Sequence, residues 1–163
     1  REPAPRKLAA DPDEDRPALV ADVGTGSGAV AVAIASRAPN ARIWATDTSA
    51  SAVRLARANV CRHGLGDRVS VVHGDLLDGS PAALDLVVAN LPYLAAGLRT
   101  ERPELAEEPP EAVFAAGDGL VPYRRLVQAC QSILRPDGYL AIQLQGKVGG
   151  THASELSALK LAA

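Results

Sequence analysis

Methionine is missing from this sequence altogether, cysteine occurs only twice, and no apolar run comes near the length of a membrane span. A helix needs roughly 20 consecutive apolar residues to cross a bilayer, so no membrane role is expected. No secretory leader is recognisable at the start. With Arg1 in first place and no methionine anywhere, the sequence reads as a fragment or a processed form of a longer chain. Cys61 and Cys130 lie far apart, in segments that read as helical, and no cluster of ligands surrounds either. They read as two buried thiols of a reducing, cytoplasmic compartment, ahead of a disulfide or a catalytic thiol. A charge excess is missing too: 17 basic side chains stand against 19 acidic ones, for a formal net charge of −2. Dedicated nucleic-acid binders carry a basic excess or stripe. A small-molecule or protein substrate fits better.

What is present suffices for one folded domain. The 163 residues are 47% apolar and 22% charged, which supports a sizeable core and speaks against wholesale disorder. Residues 1–17 hold Pro3, Pro5, Pro12 and Pro17 among mixed charges and are predicted to be a flexible arm or linker, leaving 18–163 as the domain. From there strands and helices alternate. Strands are predicted at Ala18–Val23, Arg42–Thr46, Val69–Val72, Leu84–Ala89 and Tyr139–Leu144. Helices are predicted at Ala29–Arg37, Ser49–His63 (Ser49 capping, Gly64 stopping) and Leu120–Leu134, with a last one within His152–Leu161. Residues 91–116 read as irregular. The alternation implies an α/β fold, a mostly parallel sheet with helices on both faces.

The polar residues punctuate this pattern at one place. Gly24–Gly28, Asp47, Asp75 and Asn90 all follow the carboxyl ends of strands. In an open α/β sheet that edge is where ligands bind. Gly24, Gly26 and Gly28 allow a tight turn and close approach of a ligand to the main chain, and the next helix offers free N–H groups. Gly24, Gly26 and Ala29 also satisfy a dinucleotide fingerprint. Asp47, 19 residues beyond Gly28, can bind ribose hydroxyls in either cofactor class. The loop thus indicates a nucleoside cofactor and leaves its kind open. Asp22 is a charge inside an apolar strand end, costly without a partner; that partner is a ligand cation or a nearby loop. His73 reads as structural, and Asp75 either contacts a ligand or ends a solvated turn.

Asn90-Leu91-Pro92-Tyr93 follows the fourth strand. This tetrapeptide resembles the (N/D/S)-P-P-(Y/F) loop of amino-methyltransferases, and the resemblance implies a planar NH2 group as acceptor, a weak nucleophile because its lone pair is delocalised. Two acceptors, the Asn90 side-chain oxygen and the Leu91 carbonyl, can hold both of its hydrogens and favour pyramidal geometry. Pro92 stiffens the turn and Tyr93 can stack on a planar group. This work is positioning and electrostatics, and it calls for no metal and no covalent nucleophile.

Two resemblances follow. Asp22-x-Gly24-x-Gly26-x-Gly28 is similar to the first motif of class I methyltransferases, which implies a Rossmann-like sheet and S-adenosyl-L-methionine as cofactor. The cofactor would be held by Asp22, Gly24, Thr25, Gly26, Ser27, Gly28, Asp47 and Asn90. Asp22 would face its cationic end, and Asp75 and Leu76 its adenine. Glu108-Pro109-Pro110-Glu111-Ala112, Gly117-Asp118-Gly119-Leu120 and Tyr123-Arg124 sharpen the likeness to the protein-(glutamine-N5) methyltransferases that modify peptide-chain release factors. That resemblance, over about Ala21 to Gln143, implies a release-factor partner with a Gly-Gly-Gln loop, and Asn90 to Tyr93 as its glutamine site. Leu91 replaces a usual proline. The family's N-terminal helical domain has no counterpart in these residues, and its closing C-terminal strand pair is expected to be missing, with strand five left exposed. An rRNA adenine-N6 methyltransferase, in which Asn-Leu-Pro-Tyr also occurs, a non-catalytic cofactor-binding paralogue and a dehydrogenase are the competing readings.

Overall fold

The computed structural model describes residues 16–92, 94–95, 114–115, 120–148 and 151–160. In chain order the elements are β1 (Leu19–Val23), α1 (Ala29–Arg37), β2 (Arg42–Asp47), α2 (Ala50–Arg62), β3 (Val69–His73), β4 (Leu84–Ala89), β5 (Leu94–Ala95), β6 (Phe114–Ala115), α3 (Val121–Ile133), β7 (Leu134–Val148) and β8 (Thr151–Lys160). Six strands form one sheet in the order β3-β2-β1-β4-β7-β8. The first five run parallel and β8 is antiparallel to β7. β5 and β6 pair separately, inside the stretch read as irregular.

The chain winds outward from β1 to β3, then returns to lay β4 on the other side of β1. That reversal opens a crevice above the carboxyl ends of β1 and β4. Parallel strands buried on both faces should be nearly all apolar, as Leu-Val-Ala-Asp-Val of β1 is, apart from one aspartate. Alternate residues serve opposite faces. Val20 packs with Ala31, Ala35, Ile43 and Val53 on the α1/α2 side. Ala21 and Val23 join Leu84, Leu126 and Leu140 on the α3 side. The helix signals operate as expected: Ser49 Oγ accepts from Ala52 N (3.4 Å) at the start of α2, and Gly64 follows its end at φ +65°.

Three expectations need correction. Pairing of β7 with β4 starts at Leu134, breaks its register over the next four residues, and resumes at Tyr139 opposite Leu86. Gly138 makes this possible: a Cβ there would lie 2.9 Å from the Leu84 oxygen. The final helix expected within His152–Leu161 is strand β8, in register with β7 from Tyr139↔Lys160 to Val148↔Thr151. Local helix propensity loses to the unpaired N–H and C=O groups along β7. Strand five is therefore covered on its outer side. Finally, Cys61 is exposed and Cys130 buried. Burial pushes the Cys130 thiol up to about 11, which keeps it protonated and inert.

The entry to β1 is pinned at the end of the sheet away from the crevice. Asp85 on β4 accepts from the Leu19 N–H (2.8 Å), from Arg135 (3.2 Å) and from the Arg16 guanidinium, so Arg16 of the expected arm is held against the sheet. Among the described residues no helix is long and apolar enough to cross a membrane.

Candidate active site

The glycine loop leaves β1 with Gly24, Gly26 and Gly28 at φ +69°, +55° and +79°, a region where side chains with a Cβ are strained. Thr25 N donates to the Thr46 oxygen (2.9 Å) and Asn59 Nδ2 to the Ser27 oxygen (2.8 Å), tying the loop to β2 and α2. Gly28 is also needed for space. A Cβ there would sit 3.1 Å from Ala56 Cβ and 3.2 Å from its Cα.

Asp22 lies beneath this loop, 4% exposed. Its Oδ2 accepts from Thr25 Oγ1 (2.6 Å) and from the Ala31 N–H (3.1 Å). Gly28, the N-cap of α1, has no side chain to offer. Asp22 caps the helix from the neighbouring strand instead, with its charge at the positive end of the dipole. Burial raises its pKa above the ordinary value, and the Thr25 and Ala31 bonds oppose that rise. Among the described residues, the glycine loop and the start of α1 supply the partners of Asp22.

The other acids rim the crevice. Asp47 holds the glycine loop, accepting from Gly26 N (2.9 Å) and Ser49 N (2.8 Å) on its two oxygens. His73 Nε2 lies 2.8 Å from the Thr48 oxygen, the structural role expected of it. Asp75 pairs with Arg125 of α3 at 2.6 Å across the opening; both groups are exposed, so the pair contributes about 0–1 kcal/mol. Leu76 is held at φ +49° while its oxygen accepts from buried Thr46 Oγ1 (2.5 Å).

Asn90, Leu91 and Pro92 complete the wall. Asn90 is exposed, and Leu91 is buried with its Cδ2 2.9 Å from where a Cβ on Gly24 would lie. The Leu91 main chain is bound at both ends by Tyr123, whose hydroxyl accepts from Leu91 N (3.1 Å) and donates to Leu91 O (2.9 Å).

These loops enclose a cleft of about 590 Å³. Of the residues singled out from the sequence, Gly24, Gly26, Ser27, Asp47, Asp75, Leu76, Asn90, Leu91 and Pro92 line it. Asp22, Thr25 and Gly28 do not: they shape the loop from below. Tyr93, Glu108–Ala112 and Gly117–Gly119 lie outside the described residues. Arg125 and Pro122 of α3 and Leu55 of α2 also line the cleft and were not singled out from the sequence, since contacts between a helix face and distant strand ends have no spacing signal. Tyr123 stands out in the sequence only as part of the Tyr123-Arg124 motif.

A glycine loop, a strand-end acid and a switch-point cleft define a nucleoside-cofactor domain of the open α/β class. The family model for the methyltransferase small domain matches residues 6–108, and the chain belongs to that family. It is 41% identical over 138 residues to the release factor glutamine methyltransferase of Deinococcus radiodurans, covering 84% of this chain and 49% of that one. It is 33% identical over 131 residues to the bifunctional methyltransferase of Rickettsia felis, covering 77% of this chain and 24% of that protein. The chain thus spans about half the length of the former relative and a quarter of the latter. Among solved structures, the hMettl16 catalytic domain in complex with the MAT2A 3'UTR hairpin 1 superposes with TM-score 0.63 at 20% identity, over 80% of this chain and 51% of that one. The ribosomal protein L11 methylase of Lactobacillus delbrueckii subsp. bulgaricus gives TM-score 0.56 at 21% identity, over 89% and 72%. These two establish the Rossmann-like methyltransferase fold.

Proposed function

We propose that the chain is an S-adenosylmethionine-dependent N-methyltransferase acting on a glutamine side-chain amide of a peptide-chain release factor. The observation that carries this reading is that the Asn90-Leu91-Pro92 turn and the glycine loop are walls of one cleft. The acceptor class comes from the names of relatives such as those of Deinococcus radiodurans and Gloeobacter violaceus. In this reading residues 18–163 are the cofactor-binding domain, 1–17 are a linker arm, and the substrate places the protein in the cytoplasm.

The residues present suit that cofactor. A volume of about 590 Å³ falls within the roughly 300–1,000 Å³ of small-molecule sites. Asp47 offers a carboxylate to the ribose hydroxyls. Asp75 and Leu76 would flank the adenine, and Gly24, Gly26 and Ser27 would present backbone to the amino-acid end. Asp22, Thr25 and Gly28 hold that backbone in place. The cofactor supplies a methyl group already activated by a sulfonium charge.

The protein's task is then to orient a poor nucleophile. Asn90 Oδ1 and the Leu91 carbonyl oxygen each accept one hydrogen of the amide NH2, which turns the nitrogen lone pair toward the cleft. Tyr93, next in the sequence, is the residue that would stack on the amide plane. Such preorganised contacts act where charge develops during transfer and need no rearrangement at that moment.

Isotopic methyl transfer to a release-factor fragment containing its Gly-Gly-Gln loop tests the reading. The controls are the same fragment with that glutamine changed to alanine, and an rRNA fragment. Label on the glutamine fragment alone is expected. Label on RNA alone would remove the glutamine assignment, and failure to bind S-adenosylhomocysteine would remove the methyltransferase reading itself.

A further inference from the structure

The Tyr123 hydroxyl is placed among three main-chain groups. It accepts from Leu91 N (3.1 Å), and it lies 2.9 Å from the Leu91 oxygen and 2.8 Å from the Gln143 oxygen of β7. A phenol carries one hydrogen and two acceptor sites, so that one hydrogen serves the two carbonyls alternately. The ring is fixed: Tyr123 is 5% exposed and packs in the α3-side core with Leu126, Leu140 and Leu91 itself. Pro122 at the start of α3 sets the direction from which it enters.

This arrangement is more than one buried hydroxyl needs to be satisfied. It clamps both polar groups of one peptide residue, and that residue forms the wall of the cleft. A carbonyl oxygen has two lone pairs. When Tyr123 occupies one, the other keeps a fixed direction. A proline at 91 would offer no N–H; Leu91 offers one, and it is the group Tyr123 accepts from.

We propose that Tyr123 is the positioning residue of the acceptor site: its hydroxyl fixes the direction of the Leu91 carbonyl and leaves one lone pair for an acceptor N–H. The inference rests on reading the Asn90 turn as an amide clamp. Tyr123 touches neither cofactor nor acceptor in this role and acts through Leu91.

Tyr123→Phe in the full chain tests it, because the ring and its packing remain. Hydrogen exchange at the Leu91 amide is expected to speed up by about ten-fold or more, since its only acceptor among the described residues is removed. S-adenosylhomocysteine affinity is expected to stay within about two-fold. The kcat for a Gly-Gly-Gln peptide is expected to fall roughly ten-fold, below the 10²–10³ of deleting a direct contact, with KM changed less. Incorporating 3-fluorotyrosine at 123, which restores the hydroxyl, is expected to restore both exchange and turnover. Unchanged Leu91 exchange, unchanged kcat, or parallel loss of kcat and cofactor affinity would each overturn the inference. The exchange measurement needs no acceptor. If the wild type leaves the peptide unmethylated while Leu91 exchange still responds to Tyr123→Phe, the glutamine reading alone is lost.

Discussion

Three glycines share a left-handed backbone and differ in what surrounds them, so one substitution separates strain, packing and ligand space. Gly28, Gly26 and Gly64 have φ of +79°, +55° and +65°. A Cβ on Gly64 or Gly26 meets nothing within 4 Å, whereas on Gly28 it meets the Cβ and main chain of Ala56 at 3.1–3.2 Å. Alanine in this region costs roughly 1–2 kcal/mol, offset by about 0.4–1 kcal/mol from restricting the unfolded chain. Gly64→Ala and Gly26→Ala are therefore expected to destabilise by about 1 kcal/mol each. Gly28→Ala adds overpacking of roughly 1–3 kcal/mol, because the main chain of α2 cannot step aside cheaply. At roughly 2–4 °C per kcal/mol for a chain of this size, Tm should fall about 2–4 °C for the first two and roughly 4–15 °C for Gly28→Ala. Gly26 also lines the cleft, so Gly26→Ala is expected to weaken S-adenosylhomocysteine at least ten-fold, about 1.4 kcal/mol. Gly64→Ala should leave that affinity alone. Calorimetric unfolding and ligand titration of the three variants decide the matter. Equal Tm losses for Gly28→Ala and Gly64→Ala would refute the packing argument, and wild-type affinity in Gly26→Ala would refute the cleft assignment.

Asp47→Ala is expected to weaken S-adenosylhomocysteine by about 1.5–3 kcal/mol, the scale of a hydrogen bond to a charged group; calorimetry on the folded variant showing no change would remove the ribose role. Asn90→Ala should lower turnover roughly 10²-fold while cofactor affinity falls much less, and near-normal turnover in the isotopic assay would end the amide-positioning argument. Asp22→Asn keeps an acceptor for Thr25 and Ala31, both of which use Oδ2. Burial raises the Asp22 pKa above 3.8, so the folded state holds this proton more tightly than the unfolded chain. Its contribution to stability is full below 3.8 and is lost as pH rises through the folded value. The advantage of Asp22→Asn in Tm should therefore grow from pH 3 to pH 7, and a difference independent of pH would count against burial as the cause.

The sheet was legible because its signals are local. Apolar runs of β-strand length closed by Gly, Asp or Asn gave β1 to β4 within a residue or two, and α1 and the cap of α2 followed from Pro39, Ser49 and Gly64. The last strand was not legible. His152–Leu161 is locally helical in composition, and its strand state depends on pairing with the β7 edge, from Val148↔Thr151 back to Tyr139↔Lys160, which composition does not signal. The cleft residues at strand ends were found by the same punctuation. Roles set by distant partners were not: Asp22 reads as a costly charge until Ala31 is seen above it, and Arg125 shows no sign of Asp75 fifty residues away. Asp47 was read only toward a ligand, while its carboxylate also organises the loop through Gly26.

The close approach of Gly24 to the Leu91 side chain joins two loops that sequence motifs treat separately. In the proposed reading, a shift of the glycine loop on cofactor binding would be taken up by Leu91, whose carbonyl would hold the acceptor amide. The two binding equilibria then share a coupling free energy, and linkage makes it reciprocal. Whatever factor the nucleoside ligand applies to the affinity for the amide, the amide returns to the nucleoside ligand. A larger or smaller side chain at 91 is expected to change that factor without touching either ligand's own polar contacts, so the strength of the coupling would rest on one apolar residue wedged between the loops.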